Sequence, residues 1–253
     1  MIKRSYKPEL MDLGPSHYTQ DEYFDCINKL GTIGKLLGGN RATRKALRQV
    51  AQDRSIPLET SLHDPQGDEN TQITSVLDVG CGNGSNTLEI ARLYPNARVV
   101  GIDIAHDAII GAEKFKKLYE QKNNLKLHNL FFEHRTQPEL NEQAKSFDIV
   151  TVTLLCHHLN DQELINFLQA ACSIARRAVI INDLQRSSLA YILFWLVSPL
   201  FNNRLIRYDG LLSIKRSFTR QELQSYLSQA GIAPENYTIT WRWAFRWVIT
   251  ITG

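Results

Sequence analysis

From residue 73 onward, short apolar runs alternate with longer segments in which apolar residues recur every three or four positions. Runs of the first kind are typical of strands buried in a parallel sheet, and segments of the second kind are typical of amphipathic helices. The predicted strands are residues 76–79, 97–102, 125–132, 147–153 and 178–183. Because strands and helices alternate, we predict an α/β core with a mostly parallel sheet over residues 73–253.

Two of the predicted helices begin with a capping box. Asn160 is followed three residues later by Glu163, and Thr219 by Glu222. In each pair the two side chains can accept hydrogen bonds from backbone N–H groups at the start of the helix, which otherwise lack partners. The first of these helices is predicted to end at the arginine pair 176–177, because cations are favoured at the negative end of the helix dipole.

Residues 1–72 have a different pattern and are predicted to form a helical N-terminal cap with a linker. Apolar spacing predicts helices over 21–37 and 41–53, separated by a glycine-rich stop at Gly38. Residues 57–70 are polar and rich in turn formers, and are interpreted as a linker or surface loop. Two interpretations of the helices stay open: packing on the sheet, or closure over a ligand.

The last segment, residues 237–252, alternates aromatic or aliphatic residues with Thr, Arg and Ala. Such alternation indicates strand with one apolar face. Arg242 and Arg246 within it could also serve a nucleic-acid surface, but a core face opposite a solvated face is the favoured interpretation. No nucleic-acid partner is predicted.

Composition narrows the class of protein. The 253 residues are 43% hydrophobic, and 29 basic against 26 acidic residues give a net charge of +3, which requires neither a nucleic-acid nor an acidic partner. The cysteines lack metal-finger spacing, so no metal site and a reducing compartment are predicted. The first residues show no apolar run, and a cytoplasmic location is expected.

The candidate chemistry lies at the end of the first predicted strand. Asp78 closes that strand, and Gly80, Gly82 and Gly84 follow at alternate positions before a helical pattern begins. Glycines permit backbone conformations closed to other residues and leave room for a ligand near the exposed N–H groups of the next helix. This arrangement predicts a small-molecule site at the carboxyl end of the strand.

The next strand ends at Asp103, where a carboxylate can accept hydrogen bonds from both hydroxyls of a ribose. Together with the glycines this predicts an adenosine-type ligand. A dinucleotide fingerprint would need glycine at Ser85, and the acid at Asp78 suits a ligand ammonium group better than a pyrophosphate.

These residues resemble the class I S-adenosylmethionine-dependent methyltransferases, whose first motif reads acid-x-Gly-x-Gly-x-Gly. The resemblance implies a Rossmann-like sheet of seven strands, mostly parallel, with a C-terminal antiparallel hairpin, and S-adenosylmethionine as cofactor. The residues expected to contact it are Asp78, Gly80, Cys81, Gly82, Gly84, Asp103, Ile104, Arg135 and Thr153.

Two positions depart from the family pattern. An acid usually holds the adenine amino group after the third strand, and here either Glu133 takes that role or Arg135 stacks on the adenine. Ala105 replaces the small hydroxyl residue expected after the second acid, so the following helix lacks a side-chain cap.

The strand ending at Thr153 is followed by His157 and His158, in a position where many small-molecule members have a histidine. An imidazole can remove a phenolic proton near neutral pH. His158 aligns best and is the first candidate for a general base, with His157 second. The alternative is that one histidine only packs or caps.

Acceptor contacts are expected at the edge of the sheet formed by the carboxyl ends of the parallel strands, here called the rim, and in a lid insertion over residues 185–217. Asp183 and Arg186 either contact the acceptor or pair with each other. Residues 187–203 carry no charge and imply an apolar or aromatic acceptor; a core or dimer contact, and a helix resting on a membrane surface, are the alternatives. The remaining predicted substrate-binding residues are Tyr191, Trp195 and Tyr208.

Together these features predict O-methylation of a phenol-type hydroxyl on a small molecule. The alternatives are C-methylation of a quinone or polyketide-like ring, a nicotinamide-dependent oxidoreductase, and a binding protein without activity.

Overall fold

The computed structural model of the chain describes residues 3–14, 16–53, 73–135 and 145–252. The predicted linker at 57–70 lies outside the described residues. The strands are β1 (Ser75–Val79), β2 (Arg98–Asp103), β3 (Leu130–His134), β4 (Phe147–Thr153), β5 (Ala175–Leu184), β6 (Tyr237–Arg242) and β7 (Arg246–Thr252).

These strands form one sheet in the order β3-β2-β1-β4-β5-β7-β6. The pairs among β1 to β5 are parallel, whereas β7 runs antiparallel to both β5 and β6. The alternating segment at 237–252 therefore forms the C-terminal hairpin, and the predicted fold class is confirmed.

Eight α-helices surround the sheet in the described part of the chain. They are α1 (Gln20–Leu36), α2 (Gly39–Gln52), α3 (Ser85–Leu93), α4 (His106–Asn123), α5 (Asp161–Ile174), α6 (Ser188–Val197), α7 (Arg204–Arg216) and α8 (Arg220–Gln229). Both predicted capping boxes are present, at Asn160 before α5 and at Thr219 before α8.

Several element boundaries differ from the sequence prediction, most clearly at the junction of α5 with β5 and at the start of β3. Helix α5 ends at Ile174 and not at the arginine pair 176–177, because Ala175 already pairs with Phe147 of β4 and the arginines continue β5. The third strand begins at Leu130, since the Asn129 side chain bonds three carbonyl oxygens of the α3–β2 connection and so anchors the turn before it.

The two N-terminal helices pack against different parts of the core. Helix α2 packs on the sheet through Leu47 and Val50, and the buried amide of Asn182 in β5 donates to the Gly39 carbonyl and to Thr43. Helix α1 instead lies across the turn that follows β1. Packing on the sheet thus describes α2, while closure over a ligand stays a prediction for α1.

Candidate functional site

The glycine turn after β1 is tied to the neighbouring strand. The backbone N–H groups of Gly80 and Cys81 donate to the Ile102 carbonyl at 2.8 and 3.0 Å. A Cβ atom built on Gly84 would lie 2.5 Å from the Phe132 ring, whereas one on Gly82 would meet no atom within 4 Å. Gly84 is therefore required for packing, while Gly82 borders an open crevice.

Asp103 connects this turn to the start of α4. One carboxylate oxygen accepts from the Gly82 N–H at 2.9 Å and the other accepts from the Ala105 N–H at 2.9 Å. A carboxylate has about four acceptor sites, so both oxygens retain lone pairs for a ligand. The Ile104 side chain is 71% exposed beside it, and α4 has no side-chain cap at Ala105, as predicted.

Asp78 is buried behind the turn. It accepts hydrogen bonds from Thr87 in α3 at 2.6 Å and from Thr151 in β4 at 2.7 Å. Burial raises the pKa of Asp78 although both hydroxyls favour its charged form. The geometry shows an acid that anchors α3 to two strands; direct contact with a ligand ammonium group stays a prediction.

The side chains next to Asp78 complete the rim. The Asn86 amide lies 3.5 Å from both the Asp78 carboxylate and the Thr153 hydroxyl, and so connects the ends of β1 and β4. Burial raises the pKa of the Cys81 thiol, which is therefore neutral at physiological pH.

Helix α1 packs directly on the glycine turn. The Asn83 side chain donates to the Ile27 carbonyl at 3.1 Å, and a Cβ atom on Gly31 would lie 2.8 Å from the Asn83 amide nitrogen. Tyr23, on the same helix, has its pKa raised by burial and by the Asp103 carboxylate. Sequence spacing identified Tyr23 only as part of an apolar face, so this neutral phenol near the crevice was missed.

The two candidates for the adenine end are bound to each other. Arg135 forms an ion pair with Glu133, and Arg98 approaches the same carboxylate at 3.6 Å. The Arg135 backbone N–H also donates to the Asp103 carbonyl at 3.2 Å. Both residues thus lie near Asp103, and the choice between them stays open.

The histidine pair lies on a short 3-10 turn, Cys156–His158, directly after β4. Nδ1 of His157 lies 2.6 Å from Asp183, and Nδ1 of His158 lies 2.8 Å from Asp12. His157 is 2% exposed, and the two ring centroids are 4.3 Å apart. Each imidazole therefore has its own carboxylate partner.

Asp183 and Arg186 do not pair with each other. Burial acts to raise the pKa of Asp183, but its interactions with the two imidazoles and with the Leu184 N–H together hold that pKa below its ordinary value. Arg186 instead donates to Glu222 at 2.5 Å and to the Ser217 carbonyl at 2.8 Å, and is largely buried.

Residues 3–14 supply a part of the rim that the sequence did not reveal. Glu9 is 3% exposed, accepts from the Ser213 hydroxyl at 2.8 Å, and lies 3.8 Å from Nε2 of His157 and 3.9 Å from Nε2 of His158. Burial raises the pKa of Glu9 to about 7. Neither Glu9 nor Asp12 lies in a recognisable motif.

Arg216 fastens this segment to the histidine turn. Its guanidinium donates to the carbonyl oxygens of His157, His158 and Lys7 at 3.0, 2.5 and 2.6 Å, and to the Asp12 carboxylate at 3.1 Å. Arg216 is itself buried, so these bonds are shielded from water.

The insertion between β5 and α8 consists of α6 and α7. Phe194 packs against Gly210, and the Lys215 ammonium lies 4.8 Å from the centre of the Tyr191 ring. Trp195 and Tyr208 are 59% and 51% exposed, so they face solvent and do not line a closed pocket. Because α6 is apolar on all sides, its sequence could not show which face turns inward.

Comparisons with known proteins agree with this geometry. Residues 70–185 match a family model described as a methyltransferase domain. The mitochondrial ubiquinone biosynthesis O-methyltransferase of Rattus norvegicus is 26% identical over 167 residues, which are 63% of this chain and 44% of that protein. The chain thus matches less than half of the rat protein's length.

Two solved structures share the fold. Human N-acetylserotonin methyltransferase in complex with SAM has a TM-score of 0.61 and 14% identity, covering 99% of this chain and 62% of that one. Magnesium protoporphyrin IX methyltransferase from Synechocystis PCC 6803 with bound SAH has a TM-score of 0.54 and 16% identity, covering 85% and 83%.

The sheet order and the glycine turn define the class I S-adenosylmethionine-dependent methyltransferase fold. Over residues 70–185 the chain is similar to the methyltransferase domain family, whose model it matches there. The family match and the shared fold support the predicted enzyme class and the predicted cofactor, S-adenosylmethionine.

Proposed function

We propose that this chain transfers the methyl group of S-adenosylmethionine to a hydroxyl oxygen of a small, apolar or aromatic molecule. One observation carries the proposal: Leu155 joins the cofactor crevice to the histidine pair. Its side chain abuts Gly80, where a Cβ atom would lie 3.0 Å away, and its carbonyl accepts from the His158 N–H at 2.9 Å. A donor above the glycine turn would therefore lie next to the imidazoles.

On the donor side, Asp103 would accept both ribose hydroxyls through its free lone pairs, and Ile104 would cover the adenine. Gly82 would let the backbone approach the ligand, because no side chain fills that space. Asp78 would support the turn from behind, through its bonds to α3 and β4.

On the acceptor side, the His157 and His158 pair would activate the hydroxyl. The sulfonium supplies the driving force, so the protein must aim the oxygen and assist loss of its proton. Asp12 and Asp183 orient the two rings, as carboxylates orient catalytic histidines. The rat relative is named an O-methyltransferase, which supports oxygen as the acceptor atom.

The apolar surface of α6 supports an apolar acceptor collected at a lipid surface. This surface is chargeless and continues into the 3-10 turn Ser198–Phe201; its exposed side chains are Leu189, Ile192, Leu193, Trp195, Leu196 and Val197 of α6 and Leu200 of the turn. Exposed apolar patches of this kind mark sites where a protein contacts a membrane or another protein. Within the described residues, the helices fall short of the length and apolarity that a bilayer crossing needs.

The experiment has two stages. S-adenosylhomocysteine should raise the melting temperature and NAD should not; the reverse result would make the chain an oxidoreductase, and no shift with either ligand would indicate a retired site. Turnover of radiolabelled S-adenosylmethionine is then measured on a panel of phenols. Exclusive methylation of ring carbon would contradict the proposal.

The variant His158→Ala tests the acceptor side. We expect turnover to fall roughly 10²–10⁴-fold, the usual contribution of acid–base catalysis, with little change in S-adenosylhomocysteine affinity. His128→Ala is the matched control, since His128 is exposed on the α4–β3 connection. Equal turnover of the two variants would remove His158 from the mechanism.

A further inference from the structure

Three potential metal-ligand atoms converge beneath residues 3–14. They are a carboxylate oxygen of Glu9 and a ring nitrogen each of His157 and His158, all within 4.8 Å of one another. Zn²⁺ bonds to nitrogen and oxygen are about 2.0–2.2 Å long, so ligand atoms around one tetrahedral ion lie roughly 3.3–3.6 Å apart. Oε1 of Glu9 lies 3.8 Å from Nε2 of His157 and Oε2 of Glu9 lies 3.9 Å from Nε2 of His158, so side-chain rotation would have to bring the three ligand atoms closer together around one ion.

The hydrogen bonds on the far side of the rings prepare both histidines for metal binding. A carboxylate only accepts, so Asp183 and Asp12 place the proton of each neutral ring on Nδ1. The Nε2 lone pair of each ring is then free and faces Glu9. Histidines that bind zinc are held in this way by carboxylates behind them.

Charge at the cluster also favours a dication. The carboxylates of Glu9, Asp12 and Asp183 surround the two imidazoles, and Arg216 contributes one positive charge through Asp12. With neutral rings, and with Glu9 ionised as metal binding requires, three carboxylates against one guanidinium leave two negative charges, at a cluster in which Glu9 and Asp183 are buried and Asp12 is partly exposed. Burying charge without compensation is costly, and a divalent ion would supply the compensation.

We propose that Glu9, His157 and His158 bind a divalent transition-metal ion of the zinc type. Two imidazoles and one carboxylate form a ligand set known from catalytic zinc sites, and it is unsuited to Mg²⁺, which prefers oxygen ligands. The site unites the N-terminal segment with the turn after β4, so metal binding would also fasten residues 3–14 over the rim.

Three protein ligands leave a coordination position open, and a consequence for catalysis rests on the proposed function. An acceptor hydroxyl bound there would lose its proton to solvent more readily, because a metal ion lowers the pKa of a coordinated oxygen. The oxygen then forms its bond to the methyl carbon while the carbon–sulfur bond breaks, and the sulfonium becomes a neutral thioether. The histidines would then activate the hydroxyl through the ion.

The test uses the full chain free of any affinity tag. Calorimetry with Zn²⁺ and visible absorption with Co²⁺ should both show a single bound ion, with the intense bands of low-coordinate Co²⁺, while Mg²⁺ should not compete. His158→Ala and Glu9→Gln should each weaken binding at least tenfold, and Asp183→Asn roughly 10–100-fold through loss of ring orientation. His128→Ala should bind as the parent does.

Circular dichroism of each variant checks folding, and the partly exposed His158 allows a ligand to be removed without touching the buried Glu9. Absence of binding by the parent chain, or equal binding by the parent and His158→Ala, would overturn the site. If methyl transfer persists after a chelator has removed all metal, the catalytic role of the ion is rejected and the proposed function survives. If the parent chain also fails to bind added Zn²⁺ or Co²⁺, the metal site itself is rejected.

Discussion

The two sides of the rim are built in opposite ways. On the cofactor side, Asp103 bonds Gly82 across 21 positions of sequence, within one strand–turn–helix–strand unit. On the acceptor side, His158 bonds Asp12 across 146 positions, and Arg216 bonds Lys7 across 209. The contacts of Asp103 therefore form with the core of the fold, whereas the acceptor side needs residues 3–14 to dock.

That docking depends on a few buried polar contacts. Arg4 donates to the Arg216 carbonyl at 2.9 Å and pairs with Asp161 at 2.6 Å, while Asp209 accepts from the backbone of Leu10 and Met11. Polar contacts of this kind are directional, so they fix one arrangement of the segment. Damage to one side of the rim should thus leave the other side intact.

The largest effect is expected from Arg216→Met on the acceptor side. The change removes the Arg216 donor from three carbonyl oxygens and from the partly exposed Asp12 carboxylate, and each buried acceptor left without a partner costs about 1–3 kcal/mol. At about 2–4 °C per kcal/mol for a chain of this size, thermal melting should fall by roughly 10 °C. Acceptor turnover should be lost, and the folded fraction should keep its S-adenosylhomocysteine affinity.

Arg220→Met is the control for that variant, because Arg220 is an exposed arginine near the same region. It should change the melting temperature little. If Arg216→Met abolished S-adenosylhomocysteine binding in protein that is still folded, the two sides would not be separable.

The opposite result, loss of cofactor affinity with an intact acceptor side, is expected from Asp103→Ala. Hydrogen bonds to a charged group contribute about 1.5–3 kcal/mol, so the dissociation constant for S-adenosylhomocysteine should rise roughly 10–100-fold. Activation of the acceptor hydroxyl by the histidines should be unaffected, so turnover at saturating cofactor should stay close to that of the parent. Asp107→Ala, at the next acid along the chain, should bind as the parent does, and unchanged affinity of Asp103→Ala would remove the ribose assignment.

This contrast explains how much could be predicted from sequence. The sheet, the capping boxes and the glycine turn follow from residues close together along the chain, and the same holds for Asp103. The third strand began later than predicted because a side-chain contact, that of Asn129, overrides the apolar run.

Sequence identified the two histidines but could not reveal which carboxylates surround them, because those carboxylates are brought to the histidines only by folding. Glu9 and Asp12 stand in a short polar segment without periodicity, and only folding brings them to the histidine turn. Arg186 looked like an acceptor contact since it follows β5, yet it turns toward Glu222. The orientation of α6 was equally hidden, because every face of that helix is apolar.

The smallest effect is expected at the exposed apolar surface of α6, which adds a third feature to the acceptor side. Embedding a leucine side chain in an apolar phase contributes about 1.5–3 kcal/mol, so Leu196→Ser should weaken partition onto phosphatidylcholine vesicles roughly tenfold. Leu118→Ser on α4 is the matched control, since Leu118 is 56% exposed and Leu196 59%. Equal partition of the two variants in a flotation assay would reject lipid contact, and conversion of a dimer to a monomer by Leu196→Ser alone would assign this surface to self-association.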